Sequence, residues 1–250
     1  MNVYFSHGVK GGVGKSMVSL VAVDYLLSLG RKVGVVEVDC SSPDVGFKLM
    51  GVEGVSATVV SVDENAYEGV NLLLESFAAF MESGVTDIIV NLPAGATQID
   101  GFANEIKLAL DSLGVAMKVF FSVGDSPTDT ASFRASAHDG LVAEAGSVNT
   151  LILFPIFLMN PSYKPDVKGL LERFDVFKYM DTEFANYSYE VMPALQPGVS
   201  NKLKSLPGLL SSYIKTTADN PIGLLGSSTL RGFLLESRKK VGILIDKENA

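Results

Sequence analysis

The sequence predicts an α/β protein with a doubly wound, mostly parallel sheet that carries helices on both faces. Apolar runs typical of strands alternate along the chain with longer stretches typical of helices, which is the order found in parallel sheets. Hydrophobic residues make up 47% of the 250 residues, and charged residues make up only 19%. This composition suits strands that are buried on both faces.

The first elements have the clearest patterns. A short apolar strand, 3–6, leads into a glycine-rich turn. The stretch 15–29 is apolar almost all round and predicts a helix, with Gly30 as its C-terminal cap. The β-branched run 32–38 predicts a central strand, and the Ser-Ser-Pro sequence at 41–43 predicts a loop after it.

The later elements follow from the same apolar runs and turn residues. The predicted strands are 58–62, 86–92, 115–123 and 151–158, and the predicted helices between them are 65–83, 102–113 and 128–145. Pro155 marks the last of these strands as an edge strand or as irregular, because proline cannot donate to a strand ladder. Beyond residue 159 the pattern weakens. Helices near 207–216 and 229–245 are expected to complete a single domain over 1–250.

Charge and cysteine content narrow the class of protein. The net charge is −8, so affinity for DNA would have to come from a local basic patch or a partner. The single cysteine, Cys40, excludes an internal disulfide and a multi-cysteine metal site within one chain, and it fits a reducing cytoplasm. No export signal is visible, and the longest apolar run, 151–159, is far below the roughly 20 residues of a membrane-spanning helix. We expect a soluble, cytoplasmic protein.

The glycine-rich turn after the first strand is the strongest chemical signal. A phosphate needs several backbone N–H groups aimed at one point, and glycines let the backbone curl tightly enough to supply them. The helix that begins at Lys15 adds its positive dipole end, Lys15 can place its charge on the β- and γ-phosphates, and the Ser16 hydroxyl can bind Mg²⁺. The predicted nucleotide contacts are Gly11, Gly12, Val13, Gly14, Lys15, Ser16 and Met17.

The spacing of this turn departs from the standard motif G-x-x-x-x-G-K-[ST], because Val9 stands where its first glycine falls and Gly8 lies one residue too early. The pattern K-G-G-x-G-K-S over 10–16 instead resembles the deviant Walker A motif of the ParA/MinD superfamily of ATPases. The resemblance implies that Lys10 is the signature lysine, which reaches across a dimer interface to the nucleotide of the other subunit. It also implies ATP and Mg²⁺ as cofactors and an ATP-dependent homodimer.

Two further segments match motifs of this superfamily. Glu37-Val38-Asp39 ends the second strand, and the resemblance implies that Asp39 lies near the γ-phosphate and the metal as a water-positioning or general-base residue. The alternative is that both are ordinary strand-end carboxylates. The segment 86–95 matches Walker B and switch II, with Asn91 in place of the expected aspartate. Asn91 can bond a Mg²⁺-bound water but lacks the charge, which predicts weaker Mg²⁺ binding or slower hydrolysis.

The resemblance implies additional nucleotide contacts. The segment Pro93-Ala94-Gly95 is expected to sense the γ-phosphate through the backbone N–H groups of Ala94 and Gly95. Met17 stands where the superfamily usually has a threonine bonded to the α-phosphate, which predicts weaker rather than absent binding. Asn160 follows the last clear strand, at a position comparable to the asparagine that contacts adenine, although asparagines are common in loops generally.

The stretch 230–245 permits three interpretations. Its apolar residues fall on one helical face and its basic residues lie largely elsewhere. This pattern resembles the tail with which MinD-like proteins hold a membrane surface and the basic patch with which ParA-like proteins hold DNA. It would place the protein at the periphery of the membrane or the nucleoid. The third interpretation is a helix packed on the sheet, and Gly232 and Gly242 favour it because they weaken a free-standing helix.

Two functions remain open from the sequence. The first is a ParA/MinD-like ATPase that partitions or positions a plasmid, a conjugation complex or other cargo, with slow hydrolysis that a partner protein stimulates. Within that superfamily, the loop after Asp39 and the compact length resemble the plasmid stability and conjugation proteins of the StbB/TraL kind. The second is a nucleotide-gated scaffold or regulator that hardly hydrolyses ATP because of Asn91. Metabolic P-loop enzymes are less favoured, because they have no need of Lys10.

Overall fold

Seven parallel strands form one sheet, in the order β3-β2-β4-β1-β5-β6-β7, within the described part of the chain. The structure is a computed structural model, and it describes residues 1–38, 43–62, 65–156, 167–217 and 219–247. The strands are β1 (Asn2–His7), β2 (Val33–Glu37), β3 (Val55–Val59), β4 (Asp87–Asn91), β5 (Ala116–Ser122), β6 (Thr150–Pro155) and β7 (Ser188–Met192). The predicted doubly wound parallel sheet is confirmed.

Helices cover both faces of this sheet. They are α1 (Lys15–Ser28), α2 (Asp44–Leu49), α3 (Ala66–Glu82), α4 (Thr97–Asp100), α5 (Ala103–Ser112), α6 (Pro127–Asp139), α7 (Leu141–Ala145), α8 (Val167–Leu171), α9 (Pro197–Lys204) and α10 (Gly223–Ile245). One core contains Phe77 of α3 and Phe133 of α6, and the other contains Val21 of α1, Leu203 of α9 and Leu234 of α10. Burial of the strands on both sides explains the almost continuous apolar runs in the sequence.

The strand register brings the carboxyl ends of three strands together. Asn91 of β4 is paired with Ser6 of β1 on one side and with Glu37 of β2 on the other. The glycine-rich turn leaves β1 at this same edge, where parallel α/β sheets bind their ligands. Asp87 begins β4 at the opposite edge, and there its carboxylate accepts hydrogen bonds from Tyr4 and Arg31.

The region after β5 differs from the prediction in two ways. The helix predicted over 128–145 is two helices, α6 and α7, which are separated at Gly140, where an added Cβ would lie 2.5 Å from Asp100 Oδ1. The prediction that Pro155 marks an edge or irregular strand is wrong, because β6 is paired with β5 and with β7. The register with β5 ends at Leu153, so Pro155 lies beyond that ladder and removes no hydrogen bond from it.

The C-terminal helix is longer than predicted and is packed on the sheet. It begins at Gly223 instead of 229, and the helix expected near 207–216 is only a short 3₁₀ turn over Leu210–Tyr213. The six apolar residues of its predicted face are all buried: Leu230, Phe233, Leu234, Val241, Leu244 and Ile245. This supports the packed interpretation over a membrane-binding tail. Among the described helices, none is long and apolar enough to cross a bilayer.

Basic residues of α10 are paired with protein groups. Arg238 forms an ion pair with Asp24, whose side chain is fully buried in α1. Lys240 Nζ lies 2.6 Å from Glu190 Oε2, and an Arg231 N–H donates to the Ile214 carbonyl oxygen at 3.0 Å. These contacts hold the helix to its neighbours, so much of the positive charge that the sequence offers as a surface patch has a structural role.

Candidate nucleotide-binding site

The turn between β1 and α1 has the backbone of a phosphate-binding loop. Gly12 and Gly14 have φ angles of 79° and 92°, in the left-handed region that residues with a Cβ rarely adopt. Helix α1 begins immediately after Gly14, and its first turn contains no acidic residue. The positive end of the helix therefore has no carboxylate of its own, which favours an anionic ligand.

Lys15 lies over this loop. Its side chain is largely buried, and Nζ donates hydrogen bonds to the carbonyl oxygens of Gly8 at 2.7 Å and Lys10 at 3.1 Å. The Ser6 hydroxyl donates to the Lys15 carbonyl oxygen at 3.0 Å and so fixes the start of α1 against β1. The ammonium is therefore held where the oxygens of a phosphate can replace the two carbonyl groups.

Lys10 has a different position from Lys15, although both belong to the same loop. Its ammonium lies 3.8 Å from Asp125 Oδ1, and both side chains are about half exposed, at 51% and 53%. An exposed pair of this kind contributes only about 0–1 kcal/mol. The Lys10 side chain can therefore leave Asp125 at little cost and reach a group outside its own loop.

The segment after β4 lies against the loop. The Gly95 N–H donates to the Val9 carbonyl oxygen at 2.7 Å, and Gly95 has a φ of 74°. Pro93 is partly buried, whereas Ala94 and Gly95 are exposed. The structure thus brings the predicted γ-phosphate sensor to the phosphate loop. The Gly95 N–H would have to leave Val9 to bind a phosphate oxygen.

Asn91 is held by two side chains at the end of β4. Its Oδ1 accepts a hydrogen bond from the Ser19 hydroxyl at 2.9 Å, and its Nδ2 donates to Glu37 Oε1 at 2.6 Å. Both polar atoms of the Asn91 side chain are thus engaged by the protein, and the residue is buried. The Oδ1 atom can accept a second hydrogen bond, so the role of Asn91 toward Mg²⁺ or a Mg²⁺-bound water stays a prediction.

Glu37 is a buried carboxylate at this end of the sheet, and the sequence indicated it only as part of the segment that ends the second strand. Its Oε2 accepts hydrogen bonds from the backbone N–H groups of Val45 at 2.9 Å and Gly46 at 3.1 Å, at the start of α2. Since Oε1 accepts from Asn91, one carboxylate contacts both β4 and α2. The sequence signal for this role was the position of Glu37 at the end of a central strand.

Two cavities flank the loop and share Gly11 and Gly12. The larger, about 460 Å³, is also lined by Lys15, Ser16, Met17 and Leu92, by Asp44 and Lys48 of α2, and by apolar residues of the 203–210 region. The smaller, about 350 Å³, is lined by Lys10, Val13, Asp125 and Arg173 among others. Both volumes are within the range of small-molecule sites, about 300–1,000 Å³.

Lys48 closes one wall of the larger cavity. Its Nζ donates to the carbonyl oxygens of Leu203 at 2.5 Å and Leu206 at 2.7 Å, which ties α2 to the end of α9. Burial lowers the pKa of Lys48 from its ordinary value. The sequence gave no sign of this contact, which spans more than 150 residues.

The residues that could hold Mg²⁺ are few. The Ser16 side chain is partly buried in the wall of the larger cavity, beside Lys15. The described ranges contain no group of three or more His, Cys, Asp or Glu residues that could hold a metal ion. Ser16 fits a Mg²⁺ ion that takes its other ligands from phosphate oxygens and water, as this ion commonly does with nucleotides. Asp39 and Asn160 lie outside the described residues.

The parallel sheet, the glycine loop at the end of β1 and the placement of Lys15 define a P-loop nucleotide-binding protein. Residues 2–117 match the ParA family model, described as NUBPL iron-transfer P-loop NTPase. Over this part, just under half of its length, the chain is similar to the ParA/MinD superfamily of P-loop NTPases. It contains a single cysteine, whereas iron–sulfur clusters are usually held by four, so nothing in the chain supports the iron-transfer part of that description.

Solved structures share the fold over nearly the whole chain. The MinD cell division protein of Aquifex aeolicus has a TM-score of 0.51 and 16% sequence identity, over 93% of this chain and 97% of that one. The MinC:MinD cell division protein complex of the same organism gives a TM-score of 0.50 and 13% identity, over 93% of this chain and 96% of that one. At these identities the likeness shows the fold.

A curated relative is similar over a shorter stretch. Protein MobD of Acidithiobacillus ferrooxidans is 40% identical over 65 residues, which are 25% of this chain. The chain spans about a quarter of the length of this relative, 27%.

Proposed function

We propose that the chain is a Mg-ATP-dependent dimerising switch, an ATPase that partitions or positions a cargo such as a plasmid or a conjugation complex. The observation that carries this proposal is the separation of two lysines in one loop. Lys15 is buried over the loop, whereas the Lys10 ammonium is half exposed beside Asp125. A second lysine that leaves its own loop is suited to a phosphate held by another subunit.

Different residues of the loop bind different parts of the nucleotide and its Mg²⁺ ion. The Lys15 ammonium exchanges the Gly8 and Lys10 carbonyl oxygens for oxygens of the β- and γ-phosphates. The backbone N–H groups over 11–16 and the start of α1 surround the phosphates, and Met17 lies beside them in the cavity wall. Ser16 and the phosphate oxygens would hold Mg²⁺, which neutralises charge on the triphosphate when it is bound.

Hydrolysis requires a group that orients the attacking water, and Asp39 is our candidate from the sequence. Glu37, two residues earlier, has its carboxylate engaged by Asn91, Val45 and Gly46. We expect slow turnover that a partner protein stimulates, since P-loop ATPases of this kind gain rate from groups supplied in trans.

The dimer is tested by size-exclusion chromatography with light scattering, without nucleotide and with Mg-ATP. Wild type should shift from monomer to dimer with ATP, and Lys10→Ala should remain a monomer. Lys178→Ala is a matched control, because Lys178 is also an exposed lysine paired with an aspartate, Asp175. A wild type that stays monomeric at saturating ATP would overturn the dimer, and a Lys10→Ala protein that dimerises normally would overturn the role of Lys10.

The alternative is a nucleotide-gated scaffold or regulator with little or no hydrolysis. The observation in its favour is that Asn91 has no charge and that both its polar atoms are engaged by Ser19 and Glu37. Phosphate release should be measured for wild type and Asp39→Ala, each alone, with DNA and with anionic vesicles. ATP-dependent dimers without turnover under all these conditions would favour the scaffold. Turnover that Asp39→Ala abolishes would favour the ATPase.

Contact with DNA or a membrane surface would have to use the outer side of α10, because its apolar face is packed in the core. Lys239 is exposed there and is paired with Glu236, one turn earlier on the same helix. We propose a cytoplasmic protein that reaches such a surface through basic residues or through its partner. The vesicle and DNA arms of the phosphate-release assay also test this point.

A further inference from the structure

A buried chain of hydrogen bonds joins four elements around the phosphate loop. The Ser19 hydroxyl of α1 donates to Asn91 Oδ1, and Asn91 Nδ2 donates to Glu37 Oε1. Glu37 Oε2 in turn accepts from the N–H groups of Val45 and Gly46 in α2. All three side chains are essentially inaccessible to solvent. The helix that follows the phosphate loop is thereby connected through β4 and β2 to α2.

The donors and acceptors of this chain are matched at Glu37 and Asn91. An ionised carboxylate can only accept hydrogen bonds, so the amide nitrogen of Asn91 has to face Glu37 and the amide oxygen has to face Ser19. An aspartate at position 91, which is the usual residue in the superfamily, would place two carboxylates 2.6 Å apart in the interior. Asparagine at 91 is therefore the partner that Glu37 requires.

We propose that Glu37 is a positioning residue of the nucleotide site and that Asn91 serves as its hydrogen-bond donor. Glu37 binds the start of α2 with its own side chain, so it holds the end of β2 to the start of α2. The same contact sets the position of Asp44 and Lys48 in the wall of the larger cavity. The part that concerns nucleotide binding and turnover rests on the function proposed above, whereas the anchoring of α2 does not.

An exchange of the two residue types provides the test. In the double variant Glu37→Gln/Asn91→Asp, the amide nitrogen at 37 can donate to the carboxylate at 91, and the amide oxygen at 37 can accept from Val45 and Gly46. The carboxylate at 91 still accepts from Ser19. Each of these four hydrogen bonds is kept, and the one between 37 and 91 is reversed in direction. The double variant should therefore behave like wild type where Asn91→Asp alone does not.

Hydrogen exchange of the Val45 and Gly46 amides measures the anchoring of α2 without nucleotide. Exchange should become faster by roughly tenfold or more in Glu37→Ala, which loses the acceptor, and in Asn91→Asp, which brings two carboxylates together. The double variant should return to within about threefold of wild type. Glu183→Gln is the control, because it removes an exposed carboxylate that pairs with Arg134. Both of these residues are far from Glu37 along the chain. Exchange unchanged in Glu37→Ala would overturn the proposal.

ATP binding and phosphate release measure the consequence for the site. Asn91→Asp should weaken ATP binding or slow turnover by roughly tenfold, and the added Glu37→Gln should recover most of the loss. If Asn91 were instead a metal ligand that only lacks charge, Asn91→Asp alone would improve both. Where Asn91→Asp does not fold, recovery of folding by Glu37→Gln supports the pair, and its failure overturns it. A wild type that binds no nucleotide would refute the proposed function while the exchange experiment still decides the anchoring.

Discussion

The His7 imidazole Nε2 lies 3.0 Å from Asp100 Oδ2, and this contact joins the last residue of β1 to the last residue of α4. The other oxygen of Asp100 accepts hydrogen bonds from the Ser136 hydroxyl and the Leu141 N–H, both at 2.9 Å. Burial alone would raise the pKa of Asp100, but His7 and these donors hold it below its usual range. One carboxylate therefore fixes the residue before the phosphate loop to the junction of α6 and α7.

Replacement of Asp100 by alanine should destabilise the fold by about 2–3 kcal/mol, because His7, Ser136 and the Leu141 N–H all lose their acceptor in the interior. Urea unfolding of the purified protein measures this difference. Asp111→Ala is the control, since Asp111 is exposed and pairs only with Lys107 on the same helix, and it should change stability by less than about 0.5 kcal/mol. Equal effects of the two substitutions would contradict a structural role for Asp100.

Replacement of Lys15 by methionine should weaken ATP binding by about a hundredfold or more, because two charge-assisted hydrogen bonds to phosphate are lost. Fluorescent ATP-analogue titration measures the affinity. Lys32→Met removes an exposed lysine outside both cavities and should bind as wild type does. Affinity that is insensitive to Lys15 would mean that the nucleotide does not occupy this loop.

Stability should rise at high pH through Lys118. This lysine is buried in β5, and its Nζ donates to the carbonyl oxygens of Leu244 at 3.0 Å and Lys247 at 2.9 Å. Burial lowers the pKa of Lys118 from 10.5 to about 8. Between these values the unfolded chain binds more protons than the folded one, so the folded state gains stability as the pH rises. Relative to Lys118→Met, wild type should gain on the order of 2 kcal/mol between about pH 7 and pH 9.5.

Urea unfolding of both proteins at the two pH values measures the gain from Lys118. The comparison between them cancels titration of the other groups. Lys168→Met, an exposed change in α8, should show no such pH-dependent difference from wild type. A constant difference between wild type and Lys118→Met across the pH range would show that Lys118 keeps an ordinary pKa.

Replacement of Arg238 by alanine should cost about 3 kcal/mol or more, because it leaves the Asp24 carboxylate buried without its cation. Among the described residues, the Ser211 N–H would still donate to Asp24, at 2.8 Å, but it carries no full positive charge. Thermal unfolding checks the loss. Lys239→Ala, in the adjacent exposed pair, should change stability by less than about 0.5 kcal/mol. If Arg238→Ala unfolds at the same temperature as wild type, Arg238 acts as an ordinary surface charge and does not stabilise the buried Asp24.

Strands β1, β2, β4, β5 and β6 were predictable because each is a buried apolar run. Strand β3 was expected at 58–62 but lies at Val55–Val59, because it is at the edge of the sheet and its residues are partly buried or exposed. Strand β7 was not predicted, since Ser188 and Tyr189 are exposed and the strand has no continuous apolar run. Helix α9 was missed for a similar reason: only Val199 and Leu203 of its eight residues are buried. The apolar pattern of a sequence reflects which residues are buried, and elements at the edge of the fold have few buried residues.

The candidate site was predictable where a local motif determines it, and less so where distant residues meet. The loop over 8–16 was recognisable because phosphate binding needs glycines, a lysine and a helix start in one short segment. The bonds from Ser19 to Asn91 and from Asn91 to Glu37 span 72 and 54 residues, and no local spacing encodes them. His7 carries no partner pattern in the sequence, because Asp100 is 93 residues away.

Gly8 shows that two different demands can place glycines in the same loop. An added Cβ at Gly8 would lie 2.5 Å from the Ser122 carbonyl oxygen, and its φ is 145°. This glycine is therefore required by the neighbouring strand β5, whereas Gly12 and Gly14 serve the curl of the loop itself. A sequence motif with one fixed glycine spacing does not separate the packing against β5 from the curl of the loop. Such a motif misses sequences in which different glycines meet these two requirements. Among homologues, the residue type at position 8 should depend on the distance between β1 and β5. It should not depend on whether the homologue binds nucleotide.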